Sequence, residues 1–293
     1  MPTRRQTPPS AEPWAEKETY RRPHKRWGQN FLTNRAVLQH ILEAAELTPN
    51  DDVIEVGPGR GMLTRDLVAH AGRVLAVEVD YALVFDLKRD LAGHENIAIV
   101  QGDILAYTPE QLLPLFPNAE QRPPQSYSVV ANLPYNIAAP TLRLFLETPR
   151  QPKRLVVMVQ YEVGQNIVAA PGEMSLLSVA VQYFGQPRLV AKVLPSSFTP
   201  SPKVDSAIIR IDTYSTPPVE VPSTEALFST VRAGFTAPRK QIRNGFAQGL
   251  GIATAEAQAL LEQALIDPSR RAQTLTLEEW ALLTRIRHEG AAA

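Results

Sequence analysis

Apolar residues along the chain follow two spacings in turn. Short apolar runs predict buried strands, and stretches with apolar residues three and four positions apart predict helices between them. The predicted strands are DVIEV, RVLAVEVD, NIAIVQGD, YSVVANL and RLVVMVQ, and the intervening helices are GMLTRDLVAH, YALVFDLKRDLA, PEQLLPLF and APTLRLFLE. This alternation predicts an α/β fold with a parallel sheet covered on both faces. Such sheets bind ligands at the carboxyl ends of their strands.

The pattern changes after about Gln186. SSFTPSPKVDSAIIRI predicts a proline-rich loop that enters a strand, and from Ser223 the apolar spacing is helical. The helical stretches are STEALFSTVRAGF, RKQIRNGFAQGL, TAEAQALLEQAL and TLEEWALLTRIR. Residues 1–23 are rich in proline and lack apolar periodicity. We therefore predict a disordered tail at 1–23, a main domain at 24–220 and a small helical domain at 221–293.

Composition excludes several classes of site. The chain has 293 residues, a formal net charge of zero and no cysteine, which excludes disulfides, thiolate metal sites and cysteine nucleophiles. No apolar run approaches the roughly 20 residues of a transmembrane helix, and the amino terminus has no apolar signal core. We expect a cytoplasmic protein without a membrane anchor or a bound metal.

The neutral total hides two basic stretches without acids, between residues 20 and 30 and between residues 226 and 255. Their basic residues are Arg21, Arg22, Lys25 and Arg26 in the first and Arg232, Arg239, Lys240 and Arg243 in the second. Such stretches can hold nucleic-acid phosphates even in a neutral protein, and the alternative is a solvated basic face.

A glycine-rich turn, EVGPGRG at 55–61, follows the first predicted strand and opens a helix. Glycines such as Gly57 and Gly59 let a ligand approach where a Cβ would clash. The G-x-G-x-G spacing differs from the G-x-G-x-x-G of pyrophosphate binders, and the acid Glu55 would repel a diphosphate. S-adenosylmethionine, which has a positive centre and no phosphate, fits this turn better.

Acids also end the next two strands. Glu78 is placed to accept hydrogen bonds from the hydroxyls of a ribose. Asp103 is placed to accept from an adenine amino group, with Ile104 beside the ring. Either acid alone would as readily cap a loop, but three consecutive strands that end in this way favour a nucleoside site.

NLPY, residues 132–135, closes the YSVVANL strand. The Asn132 side-chain oxygen and a backbone carbonyl near Leu133 or Pro134 can accept the hydrogens of an exocyclic amine, which frees its lone pair to attack a methyl sulfonium. Pro134 fixes φ, so the carbonyl is aimed in advance. Tyr135 can stack on a base turned out of its strand. The alternative is a proline-terminated strand with a surface tyrosine.

In these motifs the chain resembles the ribosomal RNA adenine dimethyltransferases, most closely the KsgA type that acts on small-subunit rRNA. HKRWGQNFL, IEVGPGRGMLT, AVEVD, QGDIL and NLPYNI match in order and spacing, and the similarity runs from about His24 to Trp280. It implies a seven-stranded, Rossmann-like methyltransferase sheet with a C-terminal helical domain. The implied activity transfers methyl groups from S-adenosylmethionine to N6 of two adjacent adenines in the 3′-terminal hairpin of small-subunit (16S) rRNA, giving N6,N6-dimethyladenosines.

The resemblance also implies roles for individual residues. The implied cofactor contacts are Gln29, Asn30, Leu32, Gly57, Gly59, Glu78, Asp103, Ile104 and Asn132. Asn132 would take the target amine, and Phe198 would stack on the adenine opposite Tyr135, although the residues alone favour a core position for Phe198. Arg239, Lys240 and Arg243 would follow the RNA backbone from one helix. The partner would be small-subunit rRNA or the assembling 30S particle, bound by a monomer.

The chain departs from the family pattern at two places. After the catalytic loop the family usually has NIST where this chain has NIAA, so Ala138 and Ala139 replace a serine and a threonine. Tyr161 replaces a lysine in a shortened 160–176 segment. These changes concern RNA contacts and leave the cofactor motifs intact. Three alternatives remain: a macrolide-resistance type that modifies large-subunit rRNA, a non-catalytic transcription or assembly factor, and a nucleotide-dependent oxidoreductase.

Overall fold

The structure, a computed structural model, describes residues 30–292, and their side chains to residue 290. The predictions for residues 1–23 and for Gln29, Arg21, Arg22, Lys25 and Arg26 lie outside the described residues. Within them, seven strands form one sheet and two short strands pair separately. The strands in chain order are β1 (Phe31–Leu32), β2 (Asp52–Val56), β3 (Arg73–Glu78), β4 (Ile97–Gln101), β5 (Ser128–Asn132), β6 (Arg154–Gln160), β7 (Gly185–Val193), β8 (Phe198–Thr199) and β9 (Ser206–Thr213).

The sheet order is β4-β3-β2-β5-β6-β9-β7. Neighbouring strands from β4 to β6 run parallel, whereas β9 is antiparallel to both β6 and β7. Every residue of β2 and β3 is buried, as expected for central strands covered on both faces. The strand order reverses between β2 and β5, and the carboxyl ends of strands at such a reversal form a crevice for a ligand.

Helices cover the sheet and form the C-terminal region. They are α1 (Arg35–Ala45), α2 (Met62–His70), α3 (Tyr81–Asp90), α4 (Pro109–Leu112), α5 (Ala138–Leu146), α6 (Tyr161–Ile167), α7 (Leu176–Phe184), α8 (Thr224–Gly234), α9 (Ile242–Leu250), α10 (Thr254–Gln263) and α11 (Leu277–Ala292). Side chains cap the first turns of α1, α3, α7 and α8; Asn34, for example, accepts from the Ala36 N–H and Asp80 from the Ala82 N–H. Within residues 30–292, no helix combines the length and the apolar character needed to cross a bilayer.

The predicted α/β class and the strand–helix alternation are confirmed, but the apolar pattern missed β7, α6 and α7. β7 is an edge strand with mostly exposed or half-buried residues and a proline at 187, so it lacks the apolar run of a central strand. The prediction that RKQIRNGFAQGL is one helix is wrong at its start. Residues 236–240 form turns, and α9 begins only at Ile242.

The C-terminal helices share their core with the sheet region. Phe228 of α8 packs edge-on against Tyr183, and its ring centroid lies 5.8 Å from that of Phe184. Trp280 of α11 is fully buried and stacks on Phe235. The proposed boundary at 220/221 falls in the loop between β9 and α8, and the division into two domains stays a prediction, because one hydrophobic cluster runs across it.

Candidate active site

One pocket of about 250 Å³ lies at the carboxyl ends of β2, β3, β4 and β5. It brings together residues that are far apart in the sequence, at the crevice that the strand order predicts. The predicted site residues that line it are Asn30, Leu32, Gly57, Gly59, Glu78, Asp103, Ile104, Asn132, Pro134 and Tyr135. The side chains of the nucleoside motif and of the NLPY motif therefore face the same space.

The glycine turn is held open by backbone geometry and hydrogen bonds. Gly57 has a φ of +66° and Gly59 a φ of +59°, in the left-handed region that favours glycine. The Gly57 N–H donates to the Val77 carbonyl at 2.9 Å. A Cβ at Gly59 would lie 3.1 Å from the Phe31 ring, which is tighter than normal contact. The turn is thus pinned to β3, and its glycines keep the pocket clear.

Glu78 ends β3 as a buried carboxylate with backbone partners on both oxygens. Oε2 accepts from the Gly59 N–H at 3.0 Å and Oε1 accepts from the Asp80 N–H at 2.9 Å. Burial raises the pKa of Glu78, although these two hydrogen bonds favour the charged form. Each carboxylate oxygen can accept a further hydrogen bond, so ribose hydroxyls remain suitable donors to it.

Asp103 can fill both roles that the sequence offered as alternatives, the cap of a loop and a hydrogen-bond acceptor for a ligand. Its Oδ1 accepts from the Leu105 N–H at 3.0 Å and caps the short 3₁₀ turn at 104–106. The exposed side chain also lines the pocket beside Ile104, which is buried. One carboxylate oxygen therefore holds the loop while the other is available to a ligand.

Glu55 differs from its predicted state. Its side chain is 1% exposed and lines the pocket, and Oε2 has no hydrogen-bond partner among the described residues. Burial is the main cause that raises the pKa of Glu55, to about 8, and the negative charge of the neighbouring Glu78 acts in the same direction. With this pKa the group is mostly neutral at pH 7. A protonated carboxyl repels a diphosphate less than the predicted charged one, and its unpaired oxygen suits a cationic ligand.

The NLPY loop orients one amide toward the pocket. Asn132 Nδ2 donates to the Asn30 carbonyl at 3.3 Å, across 102 positions of sequence, so Oδ1 is left to accept. The Leu133 N–H donates to the Met158 carbonyl at 3.1 Å, and the Ile137 N–H donates to the Pro134 carbonyl at 3.1 Å. Among the described residues, no group donates to the Leu133 carbonyl. Of the two carbonyls that the sequence proposed, Leu133 is the one that remains available.

Aromatic residues surround this loop in an arrangement only partly predicted. The Tyr135 ring is half-buried in the pocket wall, and its hydroxyl lies 2.7 Å from Ser206 Oγ. Phe198 is 4% exposed and belongs to a hydrophobic cluster with Leu32, its partner in the β1–β8 pair. It does not line the pocket. The structure thus places Phe198 in the core and does not support its predicted contact with the substrate.

Phe31 and Arg60 are pocket residues that sequence reasoning did not single out. The Arg60 guanidinium lies 4.4 Å from the centroid of the Phe31 ring, and both residues line the pocket. Cations favour this position over an aromatic face. The sequence could have identified both residues, since they fall inside two motifs already noted, QNFL and GPGRG.

The predicted RNA-binding residues that the structure describes all lie in the C-terminal helical region, but they do not share one helix. Arg232 is exposed on α8, and Arg239 and Lys240 are exposed in the turn before α9. Arg243 is half-buried in α9. The prediction that these residues share one helix is therefore wrong. The apolar spacing of RKQIRNGF is helical, but its first residues belong to the turn before α9.

The fold and pocket together indicate a class of enzyme. A parallel sheet with one antiparallel strand inserted as β9, a glycine turn without diphosphate spacing, and acids after β3 and β4 are the features of a Rossmann-like, S-adenosylmethionine-dependent methyltransferase. The family model described as "Ribosomal RNA adenine dimethylase" matches residues 21–283, and the chain belongs to this family.

Curated relatives agree with this assignment. The chain is 46% identical over 256 residues to "Ribosomal RNA small subunit methyltransferase A" of Dehalococcoides mccartyi, covering 87% of this chain and 85% of that protein. It is 41% identical to the protein of the same name from Moorella thermoacetica, covering 90% and 92%. The predicted family, the methyltransferase activity and the cofactor S-adenosylmethionine are thereby confirmed.

Solved structures support the fold. The crystal structure of 23S rRNA methyltransferase ErmE has a TM-score of 0.67 and 30% identity, and the match covers 88% of this chain and 99% of that one. A dimethyladenosine transferase from Plasmodium falciparum has a TM-score of 0.70 at 22% identity, covering 89% and 98%, and shows the fold alone. The higher identity of the relatives named for the small subunit favours that substrate class over the large-subunit alternative.

Proposed function

We propose that the protein transfers methyl groups from S-adenosylmethionine to N6 of two adjacent adenines in the 3′-terminal hairpin of small-subunit rRNA, two on each amine. The observation that carries this proposal is one pocket in which the amide of Asn132 and the acids Glu78 and Asp103 converge. The names of the relatives supply the substrate class.

The pocket residues fit the cofactor. Glu78 and Asp103 would accept hydrogen bonds from its ribose and adenine, with Ile104 against the ring. Asn30, Leu32 and the glycine turn would surround its methionine part, where Glu55 offers an unpaired carboxyl oxygen to a positive charge. When bound, S-adenosylmethionine supplies an electrophilic methyl group on a sulfonium.

The amine is activated by two acceptors. An exocyclic amine is a poor nucleophile because its lone pair is delocalised into the ring. Asn132 Oδ1 and the Leu133 carbonyl would each accept one N–H, which favours a pyramidal nitrogen with its lone pair directed away from the ring. After the first transfer one N–H remains, and either acceptor alone can hold it. The nitrogen that has gained a carbon is strongly acidic and loses its proton to water, so no general base is required.

Tyr135 would hold the target adenine by stacking. A base that reacts at an exocyclic amine must leave its stack in the RNA, and an aromatic face in the pocket wall provides a new stacking surface. Most of the rate then comes from position and preorganised acceptors.

The helical region would bind the RNA backbone. Arg232, Arg239 and Lys240 are exposed, and their charges lie close together in the chain around the α8–α9 turn. Phosphates are suitable partners for such a cluster. We further propose that the protein works as a monomer on naked small-subunit rRNA or on the assembling 30S particle.

Mass spectrometry of rRNA tests the proposal. Purified protein and S-adenosylmethionine are added to small and large ribosomal subunits from a strain without the corresponding methyltransferases. We expect dimethyladenosine at two adjacent positions of small-subunit rRNA and none in large-subunit rRNA, with far slower product formation by Asn132→Ala. Modification of the large subunit alone would support the macrolide-resistance alternative instead.

A further inference from the structure

A buried serine anchors the far end of the Tyr135 ring. The Tyr135 hydroxyl and Ser206 Oγ lie 2.7 Å apart, although 71 positions separate the two residues. Ser206 is 0% exposed and begins β9, where it pairs with Gln160 of β6 on one side and Val193 of β7 on the other. Because strands hold its backbone on both sides and its side chain is fully buried, Ser206 Oγ is a well-fixed anchor point.

Within the described residues, the bond to Ser206 is the one hydrogen bond of the Tyr135 side chain. Tyr135 lies in the loop between β5 and α5, whose backbone is held on either side by the Leu133–Met158 and Pro134–Ile137 hydrogen bonds. Those bonds position the Cα of Tyr135 but leave the torsions of its side chain free. The hydrogen bond to Ser206 fixes where the tip of the half-buried ring lies, and because a phenolic O–H prefers the ring plane it also favours one rotation of the ring about Cβ–Cγ.

We propose that Ser206 is a positioning residue for methyl transfer, which fixes the Tyr135 ring in the orientation on which the target adenine stacks. This inference rests on the proposed function, because it requires Tyr135 to be the stacking residue. A fixed face places the amine against Asn132 without an ordering cost at each turnover. In the proposed function, phosphate contacts elsewhere supply most of the RNA affinity, so loss of the anchor should lower kcat and leave KM for RNA nearly unchanged.

Ser206→Ala tests the anchor, and Ser128→Ala is its matched control. Ser128 is also a 0% exposed serine at the first position of a sheet strand, but it lies at the opposite end of the sheet, and its Oγ has no hydrogen-bond partner among the described residues. We expect Ser206→Ala to lower kcat between about tenfold and about a hundredfold, with unchanged affinity for S-adenosylmethionine. Ser128→Ala should keep the wild-type kcat.

Tyr135→Phe breaks the same hydrogen bond from the loop side and keeps the ring. We expect it to lower kcat to the same degree, and the double variant Ser206→Ala/Tyr135→Phe to be no worse than either single variant. Additive losses, a normal kcat for Ser206→Ala, or an equal loss in Ser128→Ala would overturn the inference. If Ser206→Ala does not fold, a normal kcat for Tyr135→Phe would overturn it.

The wild-type protein separates this inference from the proposed function. Failure of wild-type protein to dimethylate small-subunit rRNA contradicts the proposed function. Normal wild-type activity with an unaffected kcat in both Ser206→Ala and Tyr135→Phe contradicts only the positioning role.

Discussion

The two ends of the sheet use the same residue types for different purposes. At the amino ends of the parallel strands, acids face guanidinium groups. Arg73 holds Asp52 through two hydrogen bonds of 2.7 and 2.6 Å, and Asp212 accepts from Arg154 and Arg210, both at 2.7 Å. At the carboxyl ends, the acids face backbone N–H groups or, for one oxygen of Glu55, no described partner.

The pKa values of the acids show the contrast. Burial works against the charge of Asp212, but hydrogen bonds from Arg210 and Arg154 outweigh it and lower the pKa of Asp212. At the other end burial prevails, and it raises the pKa values of Glu55 and Glu78. Charges that are paired within the protein stabilise the fold, whereas incompletely satisfied carboxyls retain capacity for a ligand. Substitutions at the amino ends should therefore lower stability, whereas substitutions at the carboxyl ends should lower activity.

The largest expected effect is on stability, at the amino end. Arg73→Met removes both hydrogen bonds of buried Asp52 to a guanidinium and leaves it only the more distant Arg122 at 3.9 Å, so the free energy of unfolding should fall by about 3–5 kcal/mol. Urea denaturation measures it, with methylation by the folded fraction unchanged. The double variant Asp52→Leu/Arg73→Met should recover part of the loss. A lower kcat of the folded Arg73→Met protein with unchanged stability would contradict the idea that the paired charges at the amino ends serve the fold.

At the carboxyl end we expect a loss of activity without loss of stability. Asn132→Ala removes one of two acceptors for the amine, and single-turnover methylation should slow about 10²–10³-fold. Affinity for S-adenosylmethionine should change less than the rate. Asn50→Ala, an exposed asparagine at the opposite end of the sheet, is the control and should react at the wild-type rate. Equal rates for the two variants would contradict the assigned role.

Glu55 should make stability depend on pH. Its folded pKa of about 8 exceeds the unfolded value of 4.5, so the folded protein binds the extra proton between these values. The stabilisation is complete below the unfolded pKa and is lost as pH rises through the folded one, by at most about 1.4 kcal/mol per pH unit. Thermal unfolding from pH 5 to 8 should show this slope in wild type and a clearly smaller one in Glu55→Gln, where only the raised pKa of Glu78 still contributes. Glu95→Gln, in an exposed loop, should keep the wild-type slope.

The smallest expected effect is that of the basic residues of the helical region. Neutral glutamines at Arg232, Arg239, Lys240 and Arg243 should weaken RNA binding and reduce the salt dependence by about 0.7 in the log–log slope for each phosphate that is no longer neutralised. Fluorescence anisotropy at several salt concentrations measures it. Arg89→Gln, on α3 beside Asp86 and Asp90, should leave the slope unchanged. A slope unaltered by all four substitutions would place the RNA elsewhere.

The sequence alone was sufficient to predict the α/β fold, most element positions and ten of the residues that line the pocket, although not Phe31 or Arg60. Apolar spacing reports which side of an element is buried, and parallel strands bring their carboxyl ends to one edge, so Gly57, Glu78, Asp103 and Asn132 could be placed together without coordinates. The apolar pattern did not predict β7, because an edge strand is only partly buried and therefore has few apolar residues in a row.

Tertiary structure decided the states of the side chains, because these depend on partners distant in sequence. The orientation of the Asn132 amide follows from Asn30, the tilt of the Tyr135 ring from Ser206, and the neutrality of Glu55 from the layers that bury it. The burial of Phe198 likewise follows from its pairing with β1. Local spacing can name the groups of an active site, but their protonation and aim are set only by packing across the fold.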